Sequence, residues 1–237
     1  MPQPTTSLSL RERGAAAWEA AVSHAMVTEI GAGSLPYDTF RYYFEQNVRY
    51  LEDYARAIAL VIARAPEPEA ITVLTRFLNQ IVETELPANH AFLKRLGGER
   101  PTADDALAPT TYAYTRHLLD TAARHDIAHG LAALLPCQWS YGEIAVRLAT
   151  ALPDDPIYAA WIAMFAGDGY ADLVDATTGL LDRYSNVDNA AQLASLSAVF
   201  DRSTSYEVAF WDMAHTRGGS DGSAPTRSGL ARSRPVG

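Results

Sequence analysis

The only cysteine of the chain, Cys137, follows Pro136 inside an apolar run of good helix formers, "ALLPCQWSYGEIAV". A proline within a helix removes one backbone hydrogen bond and bends the chain. Such a bend can open a helical thiol towards a cavity, and Tyr141, one turn further on, would line the same cavity. Free cysteines are mostly buried and inert. The residue types alone therefore leave a nucleophile and a packing residue as alternatives.

Two further segments combine a chemically useful side chain with aromatic neighbours. Glu207 lies in "SYEVAFWDMA", where burial would raise the pKa of a carboxyl group and prepare it to pass protons near neutral pH. The alternative is a surface charge on an amphipathic helix. Tyr112 and Tyr114 lie two residues apart in "PTTYAYTRHL". Because residues at that spacing point in different directions on a helix, we expect at most one of them to face a pocket.

Asn47 occupies a position where the pattern calls for an apolar side chain, on a stripe with Phe44, Val48 and Leu51. A buried amide must find hydrogen-bond partners or cost about 1–3 kcal/mol. It is either a satisfied core residue or part of a pocket that Tyr50, one turn on, would share.

The elements that must position these residues are all predicted to be helices. Apolar residues recur at three- and four-residue steps from Phe40 to Ile62, which is typical of one long amphipathic helix. Segments rich in Gly and Pro, such as "GAGSLP" and "LPDDP", separate the helices, and no stretch alternates as a strand would. A capping box of Ser9 and Glu12 would start the first predicted helix. The later predicted helices span residues 40–62, 68–96 with a kink at Pro87, 110–125, 127–151, 157–184 and 187–215.

We therefore predict an all-α, multi-helix bundle in a single domain at residues 9–215. A flexible start covers 1–8, and the Gly-, Ser- and Arg-rich residues 216–237 are expected to be disordered because they cannot bury enough apolar surface.

Composition excludes several classes of function. The 237 residues carry a net charge of −9, which disfavours nucleic acid and anionic membranes as partners. One cysteine excludes a disulfide framework and a multi-cysteine zinc site. No apolar segment resembles a secretory signal or reaches the ~18 residues of a membrane span. These features predict a cytoplasmic protein without a membrane partner.

Five segments in order resemble the TenA family, the thiaminase II enzymes of the haem-oxygenase-like helical fold, from about Arg11 to His215. In this chain the five segments read "HAMVTEIGAGSLPYDTFRYYFEQNVRYL", "PTTYAYTRHL", "ALLPCQWSYGEI", "YAAWIAMFAGDGY" and "SYEVAFWDMA". The first segment is similar to the family's pattern of His, Gly-x-Leu-Pro, Phe-x-Tyr-Tyr and Gln-Asp. The third is similar to the family's Pro-Cys-x-Trp-x-Tyr-x-Glu.

The resemblance implies a hydrolase that cleaves an aminopyrimidine from its leaving group without a cofactor. Its substrates would be thiamin or 4-amino-5-aminomethyl-2-methylpyrimidine, and its product the hydroxymethylpyrimidine that returns to thiamin synthesis. By motif, Cys137 would add to the pyrimidine ring, and Glu207 would protonate the departing amine or thiazole and later activate water. The other pocket residues implied are Tyr50, Tyr114, Tyr141, Phe165 in place of a frequent tyrosine, and Asn47.

Asn47 departs from the family pattern, which has Asp after Gln and uses it to contact and activate the pyrimidine ring. An amide keeps the shape and can form hydrogen bonds, but it cannot carry charge or exchange a proton with the ring. A loss of this kind costs about 10²- to 10⁴-fold in rate. The alternative function is therefore a TenA-like paralogue with another substrate, or a pyrimidine-binding or regulatory accessory protein.

Two other expectations concern metal and assembly. A di-iron site on Glu83, His90 and Glu143 would need imidazoles from the later helices, but residues 130–214 contain no histidine. We therefore expect no metal, with Glu83 and His90 as a structural hydrogen-bonded pair. Because the family commonly forms homotetramers and the helices carry wide apolar faces, with Trp18, Trp139, Trp161 and Trp211, we predict a homo-oligomer.

Overall fold

A computed structural model describes residues 5–102, 105 and 107–218, and all regular secondary structure in those ranges is helical. The α-helices are α1 Thr6–Arg13, α2 Ala15–Val22, α3 Ala25–Ala32, α4 Tyr37–Ile62, α5 Pro68–Asn79, α6 Leu86–Arg95, α7 Pro109–Arg124, α8 Ile127–Leu148, α9 Pro156–Phe165, α10 Asp168–Tyr184 and α11 Ala190–Gly218. A π-helix, Gln80–Glu85, joins α5 to α6, and a 3₁₀ turn, Ala149–Ala151, follows α8. The predicted all-α bundle is confirmed.

Two helices, α4 and α8, form the centre of the bundle. Helix α4 packs against α5, α6, α7, α8 and α11, and α8 packs against α2, α7, α9, α10 and α11. The apolar stripe predicted for α4 is buried along its length, from Phe40 to Val61. Helix α8 is apolar nearly all round, which suits a helix surrounded by others. Residues that face inward from α4 and α8 are therefore held by the best-packed part of the molecule.

The start of the chain differs from the prediction. Instead of one helix that begins at Ser9, three short helices follow one another, and the first is capped by Thr5, whose side chain accepts a hydrogen bond from the Leu8 N–H. Residues 6–8, expected to be flexible, are helical because Ser7 bonds to Asp182 of α10 through both its backbone N–H and its hydroxyl, at 2.7 and 2.9 Å. The Ser9–Glu12 capping box is thus wrong, since a Thr at the correct spacing lies further upstream.

Proline and glycine account for the other differences. Pro87 was predicted to kink a helix, and the π-helix lies directly before it, with the Leu86 N–H donating to the Ile81 carbonyl. Pro87 has no N–H to give to the carbonyl four residues earlier, and a wider turn relieves the clash with its ring. The predicted helix at 157–184 is two helices, α9 and α10, with Gly167 as the residue before α10.

The surface and the end of the chain bear on two further expectations. Trp18, Trp161 and Trp211 are buried within the chain, so tryptophan-rich faces do not themselves call for a partner subunit. No helix among the described residues has the length and apolarity to cross a membrane. Helix α11 extends to Gly218, so residues 216–218, predicted to belong to a disordered tail, are helical. The rest of that tail lies outside the described residues.

Candidate active site

Cys137 borders a small cavity between α4, the π-helix, α8 and α10. The cavity has a volume of about 10 Å³, room for about one water molecule. Of the residues singled out from the sequence, Cys137, Asn47 and Tyr141 line it. The remaining lining residues are Leu51, Tyr54, Phe77, Ile81, Glu85, Gln138 and Tyr170. The thiol thus faces a small space lined by four aromatic rings and several polar side chains, as the position after Pro136 suggested.

Glu207 lies beside the thiol, on α11. Its side chain is 3% exposed, and the Tyr114 hydroxyl donates a hydrogen bond of 2.5 Å to its Oε1. Burial raises the pKa of Glu207 to about 7, against smaller lowering by hydrogen bonds from Tyr114 and Cys137. Near neutral pH, both forms of this carboxyl group are therefore populated.

The thiol itself is held in its neutral form. Burial raises the pKa of Cys137 well above its usual value, and the Glu207 carboxylate raises it further. The hydroxyls of Tyr50 and Tyr54 lower the pKa by smaller amounts. A thiolate can therefore form only if a neighbouring base removes the proton, and Glu207 is placed to do so.

Asn47 is a cavity residue and is also held by hydrogen bonds. Its Nδ2 donates to Asn89 Oδ1 at 2.9 Å, and Asn89 Nδ2 donates to the Glu85 carbonyl oxygen at 2.8 Å. The two alternatives that the sequence left open for Asn47 are thus both realised. One of the two amide N–H donors is thus engaged within the protein, which leaves the second N–H and Oδ1 of Asn47 for a ligand in the cavity.

Aromatic rings surround this centre in two layers. Tyr141 donates or accepts a hydrogen bond with Tyr43 at 2.9 Å, and its ring stacks on Trp211 at 5.4 Å. Phe165 lies one layer behind the cavity, with its ring edge-on to Tyr141 at 5.2 Å and to Tyr170 at 5.2 Å.

Tyr50 and Tyr114 pack around Glu207 and are not among the residues that line the cavity. Their rings are 5.0 Å apart. Tyr114 is buried and Tyr112 is 57% exposed, which confirms that only one of the pair faces inward.

Two polar side chains of the cavity that could bind a ligand, Glu85 and Gln138, were not predicted from the sequence. Glu85 falls at steps of four after Phe77 and Ile81, and all three line the cavity. That apolar spacing is the signal in the sequence that places Glu85 inside, whereas the neighbouring Glu83 is exposed. Gln138 is 1% exposed, and in the described part of the chain neither of its amide atoms has a hydrogen-bond partner. Buried polar atoms without partners next to a cavity indicate a polar ligand.

The residues considered for a di-iron site do not lie together as metal ligands. Glu143 accepts hydrogen bonds from Arg11 at 2.6 Å, from the Trp18 indole at 3.0 Å and from Arg147 at 2.6 Å. Glu83 is exposed, and no hydrogen bond joins it to His90 in residues 5–102. The described residues contain no cluster of three or more His, Cys, Asp or Glu that could hold a metal ion.

Comparison with known proteins identifies the family and the fold of this chain. Residues 11–217 match the TENA/THI-4/PQQC family. An aminopyrimidine aminohydrolase from Halalkalibacterium halodurans is 35% identical over 87% of this chain and 94% of its own. A solved Silicibacter protein described as a TenA family transcription regulator is 28% identical, with a TM-score of 0.82 over 91% of this chain and 98% of its own. A Shewanella denitrificans domain with a heme oxygenase-like fold superposes with a TM-score of 0.70 at 14% identity, over 91% and 97% of the two chains.

Proposed function

Because the chain belongs to the TENA/THI-4/PQQC family, we propose that it is a thiaminase II-type hydrolase of thiamin metabolism. Its relative from Halalkalibacterium halodurans is an aminopyrimidine aminohydrolase. The substrate is 4-amino-5-aminomethyl-2-methylpyrimidine or thiamin, and the product is 4-amino-5-hydroxymethyl-2-methylpyrimidine. The reaction needs no cofactor.

The observation that carries this proposal is the pairing of one thiol with one carboxyl group beside an aromatic cavity. Cys137 faces the cavity, and Glu207 lies near enough to the thiol for each group to shift the pKa of the other. A neutral thiol requires a base, and a carboxyl group with a pKa of about 7 is ionised often enough to be one and protonated often enough to be an acid. Packing alone would require neither group.

The protonation states of Cys137 and Glu207 set the order of proton transfers for the aminomethyl substrate. The Cys137 sulfur bonds to a ring carbon while its proton passes to the Glu207 carboxylate. Glu207 then gives this proton to the amine, which leaves as ammonia while the carbon–nitrogen bond breaks. Glu207 next takes a proton from water, whose oxygen bonds to the exocyclic carbon. Finally the carbon–sulfur bond breaks, and Glu207 returns the proton to the thiol.

The lining of the cavity suits a flat heterocycle with polar edges. Tyr54, Tyr141 and Tyr170 provide aromatic faces. The oxygen side of Asn47 and the unpaired amide of Gln138 provide acceptors and a donor for ring nitrogens and the exocyclic amine. Because the cavity has room for only about one water, lining side chains must move apart when the ring enters.

Incubation with each candidate substrate tests the proposal. Formation of hydroxymethylpyrimidine, followed by mass spectrometry, is expected from at least one of them, and a pyrimidine adduct on Cys137 should be detectable. Glu207→Gln should lose this activity, whereas Asp212→Asn, an exposed acid on the same helix, should keep it. Absence of product from both substrates would refute the proposal.

A second candidate is a pyrimidine-binding or regulatory protein without hydrolysis, and Asn47 is the observation that favours it. This candidate requires that wild-type protein binds hydroxymethylpyrimidine without turnover. It gains support if Asn47→Asp then releases product where the wild type does not.

A further inference from the structure

Glu85 is a buried carboxyl group that faces the cavity and takes no part in the proton transfers between Cys137 and Glu207. Its side chain is 6% exposed and lines the cavity together with Cys137 and Gln138. Across the described residues, no hydrogen-bond donor or acceptor reaches its Oε1. An unpaired oxygen in a buried carboxyl group is costly to keep unless a ligand completes its hydrogen bonding.

The position of Glu85 is fixed by the local backbone. It is the last residue of the π-helix, and such segments are frequent at functional sites. Its carbonyl oxygen accepts the Asn89 amide, which is itself bonded to Asn47. The backbone of Glu85 is therefore held by the same hydrogen-bonded chain that orients Asn47.

Glu85 is mostly a neutral acid at pH 7. Burial raises its pKa to about 8, while hydrogen bonding to Gln80 lowers it by a smaller amount. The polar groups that share the cavity with Glu85 are uncharged at pH 7. Asn47 and Gln138 are amides. Burial raises the pKa values of Cys137, Tyr54, Tyr141 and Tyr170 well above normal, so these groups keep their protons. The neutral acid can thus donate its proton in a hydrogen bond.

The proposed reaction has a demand that Asn47 cannot meet. When sulfur bonds to the ring, an electron pair moves onto a ring nitrogen, and that nitrogen must gain a proton for the adduct to be neutral. The amide at position 47 exchanges no proton, although the second of its two N–H donors, the one not bonded to Asn89, could still form a hydrogen bond.

We infer that Glu85 is a further catalytic residue, which holds a ring nitrogen of the aminopyrimidine by its O–H group and protonates it as Cys137 adds. This inference rests on the proposed function. The proton moves from Glu85 Oε to the ring nitrogen as the carbon–sulfur bond forms. It returns to Glu85 when that bond breaks and the ring regains its aromatic electrons, so Glu85 ends each turnover unchanged.

Glu85→Gln tests the inference, with Glu83→Gln as the matched control because Glu83 is exposed in the same π-helix. Glutamine keeps a donor and an acceptor but cannot give up a proton. We expect kcat to fall by about 10²-fold or more while KM changes by less than about fivefold. In the wild type kcat/KM should decline above about pH 8, and this decline should be absent in Glu85→Gln. Glu83→Gln should match the wild type in all three respects.

Calorimetry with hydroxymethylpyrimidine gives a readout that needs no turnover. An O–H donor is lost when Glu85 ionises, so wild-type affinity should be constant below pH 8 and fall about tenfold per pH unit well above it. Affinity of the Glu85→Gln variant should not vary over this range. The wild-type curve alone is informative if the variant does not fold.

The outcomes separate the inference from the proposed function. If affinity shows the Glu85-dependent fall but the wild type forms no hydroxymethylpyrimidine, hydrolysis is refuted and the ring contact of Glu85 stands. If the wild type hydrolyses its substrate while Glu85→Gln has unchanged kcat and pH profile, the role of Glu85 is refuted and hydrolysis stands. If wild-type affinity is flat through pH 8, or the wild type binds no pyrimidine, the inference is also refuted.

Discussion

Replacing Tyr114 by Phe removes one hydroxyl group and leaves the ring that packs against Tyr50 and Tyr206. That hydroxyl donates the 2.5 Å hydrogen bond to Glu207 and stabilises its ionised form. The variant should therefore raise the pKa of Glu207 above its value of about 7. Since Glu207 must be ionised to accept the thiol proton, the rate at neutral pH should fall.

The size of this effect follows from the strength of a hydrogen bond to a charged group, about 1.5–3 kcal/mol. At 1.36 kcal/mol for each pKa unit, the pKa of Glu207 should increase by about 1 to 2. The ionised fraction at pH 7 then drops from about one half to roughly 10% or 1%. Wild-type kcat/KM should exceed that of Tyr114→Phe about 5- to 50-fold at pH 7. At pH 9 the ratio should be about twofold or less, because Glu207 is then at least about half ionised in both proteins.

The assay is release of hydroxymethylpyrimidine at pH 6 to 9 by both proteins, compared as a ratio at each pH. The ratio cancels other ionisations that the two proteins share, including that of Glu85. Tyr112→Phe is the matched control, because this exposed tyrosine two residues earlier should leave the ratio at one. A Tyr114→Phe defect that is equal at all pH values would refute the assignment of Glu207 as the base.

Three further predictions concern the thiol, the cavity and the assembly. Cys137→Ser should abolish the pyrimidine adduct and lower kcat at least about a hundredfold, since a hydroxyl is the weaker nucleophile; unchanged turnover would remove Cys137 from the mechanism. Gln138→Leu should increase the free energy of unfolding by about 1–3 kcal/mol, because it removes an unpaired buried amide, and should weaken pyrimidine binding; a less stable variant with unchanged affinity would contradict a ligand-binding role. Light scattering should give four times the mass of one chain, as the family resemblance suggests, and a monomer mass would contradict it.

The fold could be predicted from sequence where helix-breaking Gly and Pro residues agree with the periodicity of the apolar residues. Helix α4 has a continuous apolar stripe between a Gly/Pro segment and a Pro-rich turn, and its observed bounds, Tyr37–Ile62, differ from the predicted 40–62 only at the first turn. The prediction failed where short polar residues compete for helix ends. The His24 side chain caps α3 by accepting the Met26 N–H, and this local bond breaks what periodicity alone presents as one helix.

The site was predictable only as far as motif resemblance reached. Cys137 and Glu207 lie seventy residues apart, and no periodicity brings α8 and α11 together. Glu85 was hidden for a physical reason, because an acidic residue in an apolar stripe is normally assigned to the solvent face. The π-helix before Pro87 places Glu85 inside while Glu83 stays outside.

The amide at position 47 and the carboxyl group at position 85 also depend on each other. Asn47 donates to Asn89 Oδ1, so Asp at this position would set two acceptor atoms about 2.9 Å apart. Asn89 could turn its amide to meet an aspartate, but it would then give up its hydrogen bond to the Glu85 carbonyl oxygen. A second carboxyl group would also share the cavity with Glu85, and like charges at close range force one of the two to keep its proton. With an amide at position 47, this competition is absent, and Glu85 is the only carboxyl group among the residues that line the cavity. In this chain, therefore, Asn47 need not be a defect in proton transfer to the ring, since the proton can come from Glu85, which lines the same cavity.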